Sequence, residues 1–253
     1  MPGTSVWADP DRVCDTVLKA TALPLHVQAE ADDATWLATW RAADEHASAA
    51  IDKRLEGSAL SEPATARALS AAHGPVVLAS SMPIRDCESF WPVSEHPPRT
   101  YSNRGANGID GTIATALGVA AGTGERPTLL IGDVALTHDL GGLAAGSRLG
   151  LPLTIVLIDN GGGGIFDFLP VGDAAPDGYE EHVATRPGLD FATLARGAGA
   201  GHAVATDLGH VSSLLSSCAE QDGVFVIEVR GDRAANVALH RRVADDVIAA
   251  LGG

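Results

Sequence analysis

Four short apolar runs punctuate the chain from residue 75 onward: PVVLAS (75–80), TLLIGD (128–133), LTIVLID (153–159) and VFVIEVR (224–230). Each is rich in Val, Ile and Leu, and none alternates apolar with polar positions. That is the pattern of strands buried on both faces. RTYSN (99–103) and HAVA (202–205) are weaker versions of the same signal. Between the runs, 108–122, 138–149, 189–198, 206–220 and 233–252 read as helices. Strand and helix alternate, which predicts an α/β fold: an open parallel sheet with helices on both faces.

The earlier part of the chain is different. Residues 33–56, DDATWLATWRAADEHASAAIDKRL, predict one helix, with Trp36, Leu37, Trp40 and Ala43 in a 3.6-residue period. The pieces before it, VCDTVLKA and LPLHVQA, show no core of their own. Ser61, Glu62 and Pro63 open a second helix, with serine as N-cap and proline in the first turn. The expected organisation is residues 1–58 as the end of a preceding domain and 59–253 as the α/β domain.

Composition narrows the function classes. The chain has 253 residues and is 45% hydrophobic, enough for one large domain, or for one domain plus a fragment of another. Its net charge is −15, and Lys19 and Lys53 are its only lysines. Such a surface repels phosphate backbones and anionic lipid, so neither nucleic acid nor membrane is an expected partner. The acidity by itself also serves solubility. Cys14, Cys87 and Cys218 are far apart and fit no metal spacing, as in a reducing compartment. No run approaches the ~18 apolar residues of a membrane span. The start, MPGTSVWADPDRV, has neither a basic region nor an apolar stretch. The expectation is a soluble cytoplasmic protein without membrane insertion.

The chemistry concentrates in GDVALTHDLGGLAAGSRLGLPLTIVLIDNGGGGIF (132–166). In an open parallel sheet, ligands sit outside the carboxyl ends of the strands. Asp133 ends one predicted strand and Asn160 the next, so both face one crevice if those strands are neighbours. A carboxylate, an amide oxygen and a backbone carbonyl are hard ligands suited to Mg²⁺, which is commonly completed by substrate phosphates. Gly161–Gly164 remove side chains where an anionic group would approach the backbone. Helix starts after Asp133 and Gly164 would add N–H donors. A lone Gly-Asp, or a lone glycine run, is more often structural. The pair is more specific, because the 26 residues between Asp133 and Asn160 are the length of one helix plus one strand.

Spacing and residue types together resemble the thiamine diphosphate motif, in which Gly-Asp is followed at this distance by an Asn-rich end. Asp159 departs from it, standing where many members have a second asparagine. SSMPIRD (80–86), YSNRGANGIDG (101–111) and GGGIFDFLP (162–170) narrow the resemblance. They are similar to the 2-succinyl-5-enolpyruvyl-6-hydroxy-3-cyclohexene-1-carboxylate synthase family of menaquinone biosynthesis. The resemblance covers residues ~60 to 253.

That resemblance implies thiamine diphosphate and Mg²⁺, or Mn²⁺, as cofactors. It implies metal ligation by Asp133, Asn160 and the Gly162 carbonyl. Cofactor contacts fall on Ser81, Arg104, Gly108, Ile109, Asp133, Val134, Ala135, Asn160, Gly162 and Ile165, with Ile109 propping the cofactor in its bent form. Substrate contacts fall on Arg85, Arg104, Ile165, Phe166 and Leu169. The substrates implied, isochorismate and 2-oxoglutarate, are dicarboxylates, and arginine binds carboxylate bidentately. The implied reaction is decarboxylation of 2-oxoglutarate and 1,4-addition of the resulting succinyl carbanion equivalent to isochorismate. The family's general-base glutamate lies in a pyrimidine-binding domain that no stretch here supplies. No catalytic residue is therefore assigned, and a homo- or hetero-oligomer with that domain on another chain is expected.

Each of these residues also has a plainer reading. Arg85 suits a surface salt bridge, Ser81 a loop, Ile109 a helix start, and Ile165, Phe166 and Leu169 the buried side of a short helix. His138 lacks partners at metal or triad spacing and reads as structural. GAGAG (197–201) follows a helix and lacks dinucleotide-loop spacing. Another thiamine diphosphate enzyme, of the acetolactate synthase or 2-oxoacid decarboxylase type, shares the metal motif. A non-catalytic phosphate- or nucleotide-binding module is the alternative from a different class.

Overall fold

The structure, a computed structural model, describes residues 34–56, 59–103, 108–174 and 176–252. The chain divides into two units between Ala42 and Ala43. In the first, the described residues form the start of helix α1 (Ala34–Leu55), where Trp36 and Trp40 are exposed with ring centroids 6.1 Å apart.

The second unit is built on six parallel strands: β1 (Val76–Leu78), β2 (Thr100–Ser102), β3 (Thr128–Gly132), β4 (Leu153–Asp159), β5 (Gly201–Val204) and β6 (Val224–Arg230). Their order is β2-β1-β3-β4-β6-β5. The four continuous apolar runs are the four inner strands. The two weak runs, β2 and β5, are the edges: Thr100 and Tyr101 of β2 are exposed and β5 is half-buried throughout, so little there demands apolar side chains.

Helices cover both faces, as the alternation predicts. They are α2 (Glu62–Ala68), α3 (Met82–Phe90), α4 (Thr112–Thr123), α5 (Asp133–His138), α6 (Leu140–Leu149), α7 (Val171–Ala174), α8 (Pro176–Tyr179), α9 (Phe191–Gly197), α10 (Leu208–Cys218) and α11 (Arg233–Ala250). Val77, Leu129, Ile131, Ile155, Leu157 and Val226 point to one face, against Ile113 and Leu117 of α4, Leu143 of α6 and Phe191 of α9. Val76, Leu78, Leu130, Val156, Ile158 and Ile227 point to the other, against α2, α3 and α10. The two-residue strand period thus feeds two cores at once. A third cluster joins Leu55, Ala64, Phe90, Leu239 and Val243.

Three local departures have physical causes. Helix α4 starts at Thr112, later than expected, because Gly111 is left-handed at φ +68°. The helix expected over 138–149 is α6, which starts at Leu140; a separate helix, α5, precedes it and ends before Asp139, which is non-helical (φ −129°, ψ 32°) and whose Oδ2 accepts the Ala114 N–H at 2.9 Å. Helix α3 starts inside the SSMPIRD motif and runs past its end, with Pro83 in its first turn where no N–H is needed.

Candidate active site

Strands β3 and β4 are hydrogen-bonded neighbours in a register that pairs Gly132 with Ile158. Asp133 and the Asn160 loop therefore leave the sheet together. A cavity of about 790 Å³ opens there, at the carboxyl ends of β1, β3 and β4. Ser81, Ile109, Asp133, Val134, Ala135, Asn160, Gly162, Ile165 and Phe166 all line it. So do Glu62, His138 and Thr185, none of which the sequence singled out as ligand-facing. Leu169 instead lines a second cavity of about 770 Å³ that shares Asn160 with the first. Gly108 is exposed and Arg85 is exposed on α3, both outside the lining of these cavities. Arg104 lies outside the described residues.

Asp133 is the hinge of the arrangement. It is only 1% exposed. Its Oδ1 accepts the Val134 N–H at 2.7 Å, and its Oδ2 accepts the N–H groups of Gly161 at 2.9 Å and Gly162 at 2.8 Å. One carboxylate thus ties the end of β3 to the loop after β4. Burial pushes its pKa up to about 6, while the N–H bonds from Gly162, Val134 and Gly161 pull the other way.

Glu62, at the first position of α2, is the second buried acid, 4% exposed. Its Oε1 accepts the Asn160 Nδ2–H at 2.8 Å. Burial pushes its pKa up to about 7; the Asn160 bond opposes this, and the nearby Asp86, Asp133 and Asp167 add to it. Asp86 has His240 Nε2 at 3.1 Å and Asp167 has Arg233 Nε at 3.5 Å. Among the described residues, no Lys, Arg or His side chain lies within ion-pairing distance of Glu62 or Asp133. Asn160 Oδ1 is buried without a hydrogen-bond partner. A lone buried acceptor is costly unless something else satisfies it.

The glycine run has a more local explanation than clearance for an anion. Gly162 has φ +131°, and a Cβ on it would sit 2.5 Å from the Ala184 carbonyl oxygen. A Cβ on Gly164 would sit 2.9 Å from Asn160 Nδ2. The chain's own atoms fill the space those side chains would need. Strain gathers here too. Among the described residues, the only non-glycine positive φ values are Ser81 (81°) and Thr185 (47°), and both line the cavity. Such conformations cost on the order of 1–3 kcal/mol and cluster at functional sites. His138 Nδ1 is 3.4 Å from Asp110 Oδ1, both side chains being largely exposed.

Chemically, this is an acidic pocket floor beneath an apolar wall of Ile109, Ile165 and Phe166. A carboxylate, an unsatisfied amide oxygen and the Gly162 carbonyl are a hard donor set for a small divalent cation. No cluster of three His, Cys, Asp or Glu side chains suited to a metal occurs among the described residues. The set found here is of another kind, drawn from one side-chain carboxylate, one amide and the main chain. No described helix is long and apolar enough to cross a membrane.

Comparison with known proteins gives this geometry its class. A family model described as "Thiamine pyrophosphate enzyme, C-terminal TPP binding domain" matches residues 86–229, which include Asp133, Asn160 and Gly162. The chain belongs to this family of thiamine pyrophosphate enzymes. Within it, the chain is similar to proteins named 2-succinyl-5-enolpyruvyl-6-hydroxy-3-cyclohexene-1-carboxylate synthase, as the three motifs implied. It is 41% identical to that of Myxococcus xanthus over 224 residues, covering 86% of this chain and 38% of the relative. It is 42% identical to that of Rubrobacter xylanophilus over 213 residues, covering 82% and 36%. It is 39% identical to that of Synechococcus elongatus over 238 residues, covering 92% and 40%. The match thus spans 36–40% of these relatives' lengths. A solved structure from Mycobacterium smegmatis, of a candidate thiamin diphosphate-dependent enzyme, superposes with a TM-score of 0.55 at 21% identity, over 68% of this chain and 32% of that one. It supports the α/β fold.

Proposed function

We propose that this chain supplies the diphosphate- and metal-binding half of an active site that decarboxylates 2-oxoglutarate and adds the resulting succinyl carbanion equivalent to isochorismate. This would be the synthase step of menaquinone biosynthesis, in the cytoplasm. The observation that carries the reading is the unpartnered Asn160 Oδ1 on a residue that lines one cavity with Asp133, a cavity whose lining, among the described residues, holds no Lys or Arg. Thiamine diphosphate, when bound, supplies the carbanion chemistry. The residues of this chain bind, orient and shield.

Asp133, Asn160 Oδ1 and the Gly162 carbonyl would hold Mg²⁺ or Mn²⁺. Three N–H bonds already fix Asp133, so little reorganisation is needed when a cation arrives. Val134 and Ala135 line the space beside it, where the diphosphate would lie. Ile109, Ile165 and Phe166 would exclude water from the reacting carbons. Ser81 and Gly108 are assigned to the cofactor, Arg104 to cofactor and substrate, and Arg85 and Leu169 to substrate. Arginine is the side chain suited to the carboxylates of the two dicarboxylate substrates. The remaining half, a pyrimidine-binding domain with its glutamate, would come from another chain in a homo- or hetero-oligomer.

The test is isochorismate consumption with thiamine diphosphate, Mg²⁺ and 2-oxoglutarate, by the purified chain alone and with an added N-terminal half of a full-length relative. Turnover only in the complemented reaction is expected. Robust turnover by the chain alone contradicts the division of labour. Carbon dioxide release from other 2-oxoacids, independent of isochorismate, points to a different thiamine enzyme.

A further inference from the structure

Glu62 has no role in the function proposed above, yet it is buried in the same cavity and bonded to one of the proposed ligands. We propose that Glu62 is a positioning residue for the metal site: it holds the Asn160 carboxamide in the one orientation that presents Oδ1, rather than Nδ2, to the cation. This rests on the reading of Asp133, Asn160 and Gly162 as metal ligands.

A carboxamide has two faces of nearly equal shape and opposite polarity. Turned one way Asn160 offers a cation an oxygen; turned the other way it offers two N–H groups and repels it. The Asn160 group facing Glu62 Oε1 at 2.8 Å is Nδ2–H, which can only donate. The bond therefore settles the polarity of the opposite face. The surroundings agree. Gly164 leaves room for Nδ2, which lies 2.9 Å from where a Cβ would be. Oδ1, on the other side, is buried and unpartnered.

Glu62 is itself held in place. Ser61 caps α2 by accepting the Ala64 N–H at 3.4 Å, which sets Glu62 as the first helical residue. The residue is 4% exposed, so water competes little for its carboxyl group. The contact bridges 98 residues of sequence. Partners of this kind, which fix a ligand's orientation from behind, matter to a metal site almost as much as the ligands.

The test is Mn²⁺ affinity, read by electron paramagnetic resonance of free Mn²⁺ in the presence of thiamine diphosphate. Circular dichroism confirms that each variant is folded. Asp133→Asn should abolish tight binding. Glu62→Ala should weaken it by about 10- to 100-fold, the range expected when such a supporting partner is lost. Asn160→Asp alone sets two acceptors face to face and should weaken it as much. Adding Glu62→Gln to Asn160→Asp supplies a donor again and should restore most of the loss. A merely structural Glu62 would give no such rescue.

Folded Glu62→Ala protein that binds Mn²⁺ like the wild type, while Asp133→Asn does not, overturns the proposal and leaves the metal reading standing. If Glu62→Ala does not fold, absence of rescue in the double variant overturns it instead. Wild-type protein without Mn²⁺ affinity, or Asp133→Asn protein with full affinity, removes the metal reading and the proposal with it.

Discussion

Two places on the sheet bury a carboxylate, and they treat it in opposite ways. On the β5/β6 side, Glu228 is 2% exposed and meets His202 Nε2 at 2.7 Å and Arg230 Nε at 2.5 Å. Both partners come from the same two strands or their immediate end. At the β3/β4 crevice, Asp133 and Glu62 are as deeply buried, but they receive only N–H dipoles and no cationic side chain. Burial and residue type are alike, so neither separates a structural acid from a binding one. The missing countercharge does, together with the unpartnered Asn160 Oδ1 beside it. Glu228 completes its own site within the fold. Asp133 and Glu62 have no such countercharge among the described residues, which is why the proposed cation site is placed beside them.

The contrast can be broken by mutation. Removing one member of a buried ion pair costs ~3–5 kcal/mol, and the exposure of Arg230 places Glu228→Ala near the lower end, about 3 kcal/mol by thermal or denaturant unfolding. The folded fraction should bind cofactor normally. If Glu228→Ala abolished binding instead, the two carboxylates would not differ in kind. Ligand should act on the other region alone. Thiamine diphosphate with Mg²⁺ at about 100 times Kd should stabilise the folded state by about 2.7 kcal/mol, a melting shift of roughly 5–10 °C. Asp133→Asn should lose that shift, and Glu228→Gln should keep it.

Gly162→Ala sharpens the same contrast from the backbone. Its strained φ and the contact with the Ala184 carbonyl should cost about 2 kcal/mol. Because the Gly162 N–H also holds Asp133, the cofactor-induced melting shift should fall as well. The smallest effect is in pH. Burial raises Glu62 to about 7 and Asp133 to about 6, above their unfolded values of roughly 4. Protonation therefore favours the folded, metal-free chain, and this stabilisation is lost as pH rises through 6 to 7. The melting temperature of metal-free protein should rise from pH 8 to pH 5.5. Glu62→Gln should flatten that trend, and saturating Mg²⁺ with thiamine diphosphate should oppose it.

What the sequence discloses follows from how locally each feature is encoded. The inner strands are legible because β1, β3, β4 and β6 are buried on both faces and most of their positions are apolar, buried polar residues such as Thr154 and Glu228 being the exceptions. Edge strands and the short helices α7 and α8 carry mixed burial and give little or no periodic signal. Asp133 and Asn160 are legible as a pair because a single crossover, folded as α5 and α6, joins the neighbouring strands β3 and β4 and fixes their spacing. Glu62 is not, since it reaches Asn160 across 98 residues and only the packing of α2 brings them together. Sequence offers one hint, an acid between an N-cap serine and a proline that the fold then buries. The strain at Thr185 has no sequence signal, because a β-branched residue is the one least expected at positive φ.

The central claim is that the crevice between β3 and β4 binds thiamine diphosphate through a divalent cation held by Asp133. Calorimetric titration of the purified chain with thiamine diphosphate, with and without Mg²⁺, in wild type and Asp133→Asn, tests it most directly. The expected result is binding by the wild type only with Mg²⁺, and at least ~100-fold weaker binding by folded Asp133→Asn protein, as for loss of a primary ligand. Equal affinity in the two proteins, or affinity indifferent to Mg²⁺, would contradict it.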